Sequence, residues 1–175
     1  MWIRCSAASA ALLVGCAAPV VGAGQAAAVA GGIVAQRNGS QPGDPGRIAL
    51  LVGGRRVEAA VRVDRTTITR GRREVTLLAQ RGGLAILTDS YGSRPQGLSR
   101  CQAGDEIYAR VIDVAARRER YSKLVESCLK PVISGSPAYT VTPDGSAVTF
   151  DLLYEPAVTV TLGDHGRVDV VPLPR

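Results

Sequence analysis

Lysine, histidine and aromatic residues are scarce in this 175-residue chain. The lysines are Lys123 and Lys130, the histidine is His165, and Phe, Trp and Tyr together make up 4% of the sequence. A single histidine leaves a single candidate imidazole base. It sits in Gly163-Asp164-His165-Gly166, where polar residues are expected for turn conformation alone. Nucleophilic catalysis built on an imidazole is therefore not expected. The four cysteines contain no Cys-x-x-Cys pair, which excludes a dithiol redox motif. With one histidine they also supply no recognisable ligand spacing, so no metal and no cofactor is expected. Neither Gly53-Gly54 nor Gly82-Gly83 is followed by the Lys-Ser/Thr or the helix that a phosphate loop requires. Ser127-Cys128-Leu129-Lys130 has Ser-x-x-Lys spacing, but the companion motifs of the penicillin-recognising enzymes are missing and the match reads as coincidence.

What the chain does have is arginine and small aliphatic residues. The formal charge is +6 from 21 basic residues, nearly all arginine, and acidic residues are interleaved along most of the chain. No nucleic-acid-binding module signature accompanies that charge, so a nucleic-acid partner is not expected. The densest basic run is Arg117-Arg118-Glu119-Arg120 with Lys123. Arg117, Arg118, Arg120 and Lys123 form a candidate patch for an anionic partner such as lipid head groups, acidic envelope glycans or a protein surface. The plainer reading is an ordinary solvated bend.

The N-terminus reads as an address. Met1 to Arg4 gives a short basic start, Cys5 to Gly24 is uncharged and rich in Ala, Leu and Val, and small residues follow. This is the layout of an export signal over residues 1–30. Cleavage after a small-x-small pattern near Ala26-Ala27-Ala28 or Ala28-Val29-Ala30 leaves a soluble periplasmic protein. Alternatively, Leu13-Val14-Gly15-Cys16 resembles the lipobox of bacterial lipoproteins, which makes Cys16 a lipidation candidate and the product an outer-membrane lipoprotein. Membrane contact is expected only through such an anchor. An uncleaved transmembrane helix is disfavoured by Pro19 and the glycines.

Residues 31–46 concentrate Gly, Pro, Ser, Asn and Gln and are expected to be a flexible linker. From residue 47 to 175 the apolar period is close to two. Ile48 and Leu50 lead through Gly53-Gly54 to Val57, Ala59 and Val61, a hairpin pattern. Val75, Leu77 and Ala79 alternate before Gly82-Gly83 returns the chain into Leu84 to Leu87, and residues 90–100 read as a polar loop. In the next strand Ile107, Ala109 and Val111 share one face, with Tyr108, Arg110, Ile112 and Val114 on the other. Residues 115–129 fit a short helix by propensity or a returning strand by their Tyr, Leu and Val content. Thr142-Pro143-Asp144-Gly145 and Gly163-Asp164-His165-Gly166 mark two further hairpins. The expected fold is all-β, an antiparallel meander of about eight or nine short strands forming a small sandwich or barrel.

Cys101 and Cys128 are the cysteines downstream of the export segment. In an exported domain an even pair points to one disulfide, contributing about 3–4 kcal/mol by loop entropy. Carboxylates for glycoside hydrolysis could be drawn from Asp105, Glu106, Asp113 or Glu119, but spacing alone sets no separation between them. The expected function is that of an exported envelope protein, a binding or structural domain whose partner is a protein or an anionic envelope component. The alternatives are an inhibitor or accessory protein of an envelope hydrolase such as lysozyme, and a small hydrolase. Edge strands that recruit a partner by strand addition are a further open point.

Overall fold

The computed structural model describes residues 33–35, 44–94 and 104–174. The fold is all-β. Among the described residues eleven strands run in chain order: β1 Ile33–Ala35, β2 Arg47–Val52, β3 Arg55–Ala60, β4 Ile68–Arg81, β5 Leu84–Ser93, β6 Asp105–Asp113, β7 Arg118–Ser127, β8 Ser134–Val141, β9 Ala147–Leu152, β10 Val158–Leu162 and β11 Val168–Pro172. Gly53-Gly54 and Gly82-Gly83 turn the β2–β3 and β4–β5 hairpins at positive φ, a conformation that glycine adopts without a Cβ penalty.

The strands form two sheets. One has seven strands in the order β1-β2-β3-β7-β6-β5-β4 and the other has four in the order β11-β10-β9-β8. Two antiparallel meanders, β1 to β3 and β4 to β7, join in the larger sheet through a short parallel pairing of Ala60 with Arg118. That sheet curls until its outer strands meet, and the Ile33 amide donates to Gln80 Oε1 at 2.8 Å. The architecture thus combines both expected forms, a barrel-like curl in one sheet and a sandwich between two.

Two cores result, one on each face of β5 and β6. Leu84, Ile86, Ala109 and Val111 pack on Val148, Phe150, Val160 and Leu162 of the smaller sheet. Ala85, Leu87 and Ile112 turn the other way, onto Ile48, Leu50, Ala59 and Val75 inside the curl. Alternation in β5 therefore separates two apolar environments and not core from solvent.

Three sequence expectations change. Ile33–Ala35, within the segment expected to be a linker, pairs antiparallel with Leu50–Val52 as β1, and Ile33 is buried in the core inside the curl. Val75, Leu77 and Ala79 do not share a face. A register shift between Leu77 and Ala79 sends Leu77 into the curl and Ala79 to the sandwich core, as a bulge's extra residue does. The expected polar loop starts later than residue 90, since β5 runs to Ser93 and buries Tyr91. Over residues 115–129 the returning strand is what forms, β7, and no helix is present there. Its Tyr121 and Val125 pack against the sandwich core, a gain in burial that outweighs the weak helical propensity of Ala115-Ala116.

Candidate functional site

Two polar regions stand out. The first lies inside the curl, on the strand faces that carry Asp89, Tyr91, Glu106, Tyr108 and Arg110. Arg110 is fully buried, and its Nε donates to Asp89 Oδ2 at 2.8 Å. Its Nη1 donates to Glu119, to the Arg62 carbonyl at 2.8 Å and to Ser122 Oγ at 3.0 Å. Nη2 makes no hydrogen bond among the described residues, and the guanidinium carbon lies 4.6 Å from the centre of the Tyr108 ring, within cation–π range. Tyr91 packs edge-on to Tyr108 with ring centres 6.0 Å apart, and its hydroxyl contacts Asp89 Oδ2 at 2.7 Å and the Pro45 carbonyl at 3.0 Å. Burial pushes the Tyr108 hydroxyl above its usual range, because the phenolate loses water on desolvation.

Glu106, also fully buried, continues this network. It accepts from Ser93 Oγ at 2.8 Å, Ser127 Oγ at 2.7 Å and the Cys128 amide at 3.1 Å. Cys128 is disulfide-bonded, and a Cβ on Gly104 would collide with its sulfur. Cys101 lies outside the described residues, as do Cys16 and all of the residues 1–30 expected to be an export signal.

The other residues singled out by sequence have local roles. Ser127 Oγ accepts from the backbone of Leu129 and Lys130, while Lys130 Nζ lies 3.9 Å from Asp64 Oδ2, so Ser-x-x-Lys shapes a turn. Asp113 accepts from the Ala116 amide at 2.9 Å in the β6–β7 bend. His165 is exposed at φ 57° in its turn. The structure does not bring Asp105, Glu106 and Asp113 into one cleft among the described residues: Glu106 and Asp113 sit at opposite ends of β6.

The second region is on the outer surface of β2, β3 and β7. An open groove of about 520 Å³ is lined by Arg47, Arg56, Glu58, Ala60 and Arg117. Ladder pairing explains it, because Ala60 stands opposite Arg47 on one side and Arg118 on the other, so a small residue forms a floor between long cationic ones. Glu58 pairs with Arg56 at 2.9 Å and with Arg47 at 3.6 Å. Arg117 has no ion-pair partner among the described residues and sits at φ 53°.

The basic run of the sequence is therefore divided. Arg117 enters the groove and Arg118 borders it, while Arg120 is exposed on β7. Lys123 stands opposite Ala109, on the face turned to the smaller sheet, and pairs with Glu155 at 2.8 Å. Sequence reasoning missed Arg47 and Arg56. The available signal was the outward set of the β2–β3 hairpin, in which exposed Arg47 precedes buried Ile48, and exposed Arg56 and Glu58 flank half-buried Val57.

No protein-family model, curated protein or solved structure matches this chain.

Proposed function

We propose that this chain is an exported cell-envelope domain that acts by binding, and that the groove over Ala60 receives an anionic partner. The observation that carries the reading is the charge balance of the groove, three guanidinium groups against one carboxylate around a small floor residue. Guanidinium groups suit carboxylate and phosphate groups because their planar forks donate in pairs. The two ion pairs to Glu58 are solvent-exposed, so exchanging that carboxylate for a ligand anion costs little.

Export rests on the N-terminal pattern, with a soluble periplasmic product or a lipoprotein beginning at Cys16, and with Cys101 as the disulfide partner of Cys128. The intact mass of the mature protein separates these two processing patterns, and a gain of two hydrogens on reduction checks the disulfide.

The groove is tested with vesicles of phosphatidylglycerol against vesicles of phosphatidylcholine, with a soluble acidic polysaccharide as the second probe. Arg117→Gly removes a guanidinium while suiting the positive φ, and Arg56→Ser removes another. Binding of one anionic probe that weakens with salt, and falls by about tenfold in the double variant, is the expected result. Equal binding by parent and variant, or no binding of either anionic probe, sinks the reading.

A further inference from the structure

The smaller sheet ends in a strand whose outward backbone groups have nothing to pair with among the described residues. In the β10–β11 ladder the Gly163 amide donates to the Arg167 carbonyl at 2.9 Å, and the Leu173 amide donates to the Ala157 carbonyl at 2.8 Å. Those pairs fix the phase of the antiparallel ladder. Arg167, Asp169, Val171 and Leu173 direct their backbone groups at β10, and Val168 and Val170 direct theirs away from it. Val170, Val171 and Leu173 are 38%, 53% and 39% exposed. Exposed backbone donors and acceptors flanked by apolar side chains are a template for an added strand.

The other edges are closed or blunted. In the larger sheet β1 and β4 meet each other. In the smaller sheet β8 pairs irregularly with β9 between Ser134 and Tyr139 and contains Pro137, which has no N–H to offer.

We propose that β11 pairs antiparallel with β11 of a second copy of this chain, about a twofold axis at Val170, joining the two smaller sheets into one. The sequence of the strand suits this occupant and disfavours registers shifted toward the turn. With Val170 opposite its own counterpart, both Val170 N–H and C=O groups pair across the axis, and each Val168 N–H reaches the partner's Pro172 carbonyl. The missing Pro172 N–H is the one loss in each chain. Asp169 then faces Val171, so no like charges stand opposite, and the Arg167–Asp169 ion pair at 2.8 Å remains within each chain. Moving the axis by one residue, a two-residue slip of one strand past the other, places Asp169 against Asp169, which is unfavourable. A further slip runs Val170 into the Asp164–Gly166 turn, where no strand is available to pair. The chain carries a formal charge of +6, which opposes association through its basic surfaces, whereas Arg167 and Asp169 leave this edge neutral.

The test is sedimentation velocity over a wide concentration range, together with single cysteines at positions 168, 169 and 170. Twofold-related residues in a hydrogen-bonded pair lie about 5.5 Å apart at Cα, inside the span of about 4.4–6.8 Å that a disulfide bridges. The expected result is a concentration-dependent dimer in which Val170→Cys cross-links at least tenfold more than Val168→Cys or Asp169→Cys. Val170→Lys sets two charges face to face, and Val170→Pro removes only an outward donor. Each is expected to shift the protein to monomer while keeping the parent's thermal midpoint within a few degrees. A monomer at every concentration overturns the proposal, as does a dimer that cross-links best at 168 or 169 or one that both Val170 variants leave intact.

Discussion

Arg110 is the residue with most at stake. Its guanidinium lies between the carboxylates of Asp89 and Glu119 with no exposure of its own, so its removal strands buried negative charge. Arg110→Met, which keeps the aliphatic stem, is expected to lower unfolding stability by about 3–5 kcal/mol. Adding Asp89→Asn and Glu119→Gln to that variant is expected to restore part of the loss, because neutral amides tolerate burial better than carboxylates deprived of their counter-charge. Urea denaturation measures both, and a loss below about 1 kcal/mol for Arg110→Met would show that the pair contributes little in this setting. Alternation in the sequence placed Tyr108, Arg110 and Ile112 on one face. It did not reveal that this face is buried, because the partners come from β5 and β7 and strand pattern carries no information on distant pairing. Glu106 was legible as a carboxylate but not as the acceptor that holds the Cys128 amide, for the same reason.

At the scale of elements, hairpins marked by glycine or Asp-Gly turns were readable, since their chemistry is local. Asp144 in the β8–β9 turn is one of these. Its carboxylate accepts from the Ser146 amide at 3.1 Å and Ser146 Oγ at 2.8 Å. Hydrogen bonding from Thr142 and then Ser146 lowers its pKa from 3.8 to about 2. A lowered folded-state pKa means that the fold favours the ionised form. The turn's contribution is therefore complete above the ordinary value of 3.8 and is lost as pH falls toward 2. A carboxyl titration followed by NMR is expected to give Asp144 a midpoint near 2, and Ser146→Ala is expected to raise it. A parent midpoint at the ordinary aspartate value would contradict the hydrogen bonding described. The elements that were not readable owe their form to distant neighbours. β1 is a three-residue strand that exists because β2 is beside it, and β7 is extended because β6 and the sandwich core receive it. The bulge in β4 arises because one strand must serve two cores.

For the molecule as a whole, the arrangement around β5 makes unfolding a question of coupling. Leu87 belongs to the core within the curl and Phe150 to the sandwich core, yet β5 supplies residues to both. Separating the sheets would expose Leu84 and Ile86, and opening the curl would expose Ala85 and Leu87, so neither half retains a buried central strand without the other. A single cooperative transition is expected. Leu87→Ala should cost about 2–5 kcal/mol and Phe150→Ala about 3–5 kcal/mol, each lowering the same transition. The checks are tyrosine fluorescence and far-UV circular dichroism through urea, whose midpoints should coincide in the parent and in both variants. A Phe150→Ala variant that loses the sandwich signal at low urea while the curl persists would show that the sheets fold independently. That outcome would also bear on the proposed contact at β11, since a smaller sheet free to separate exposes its inner face as well as its edge, and association would then no longer be confined to the register centred on Val170.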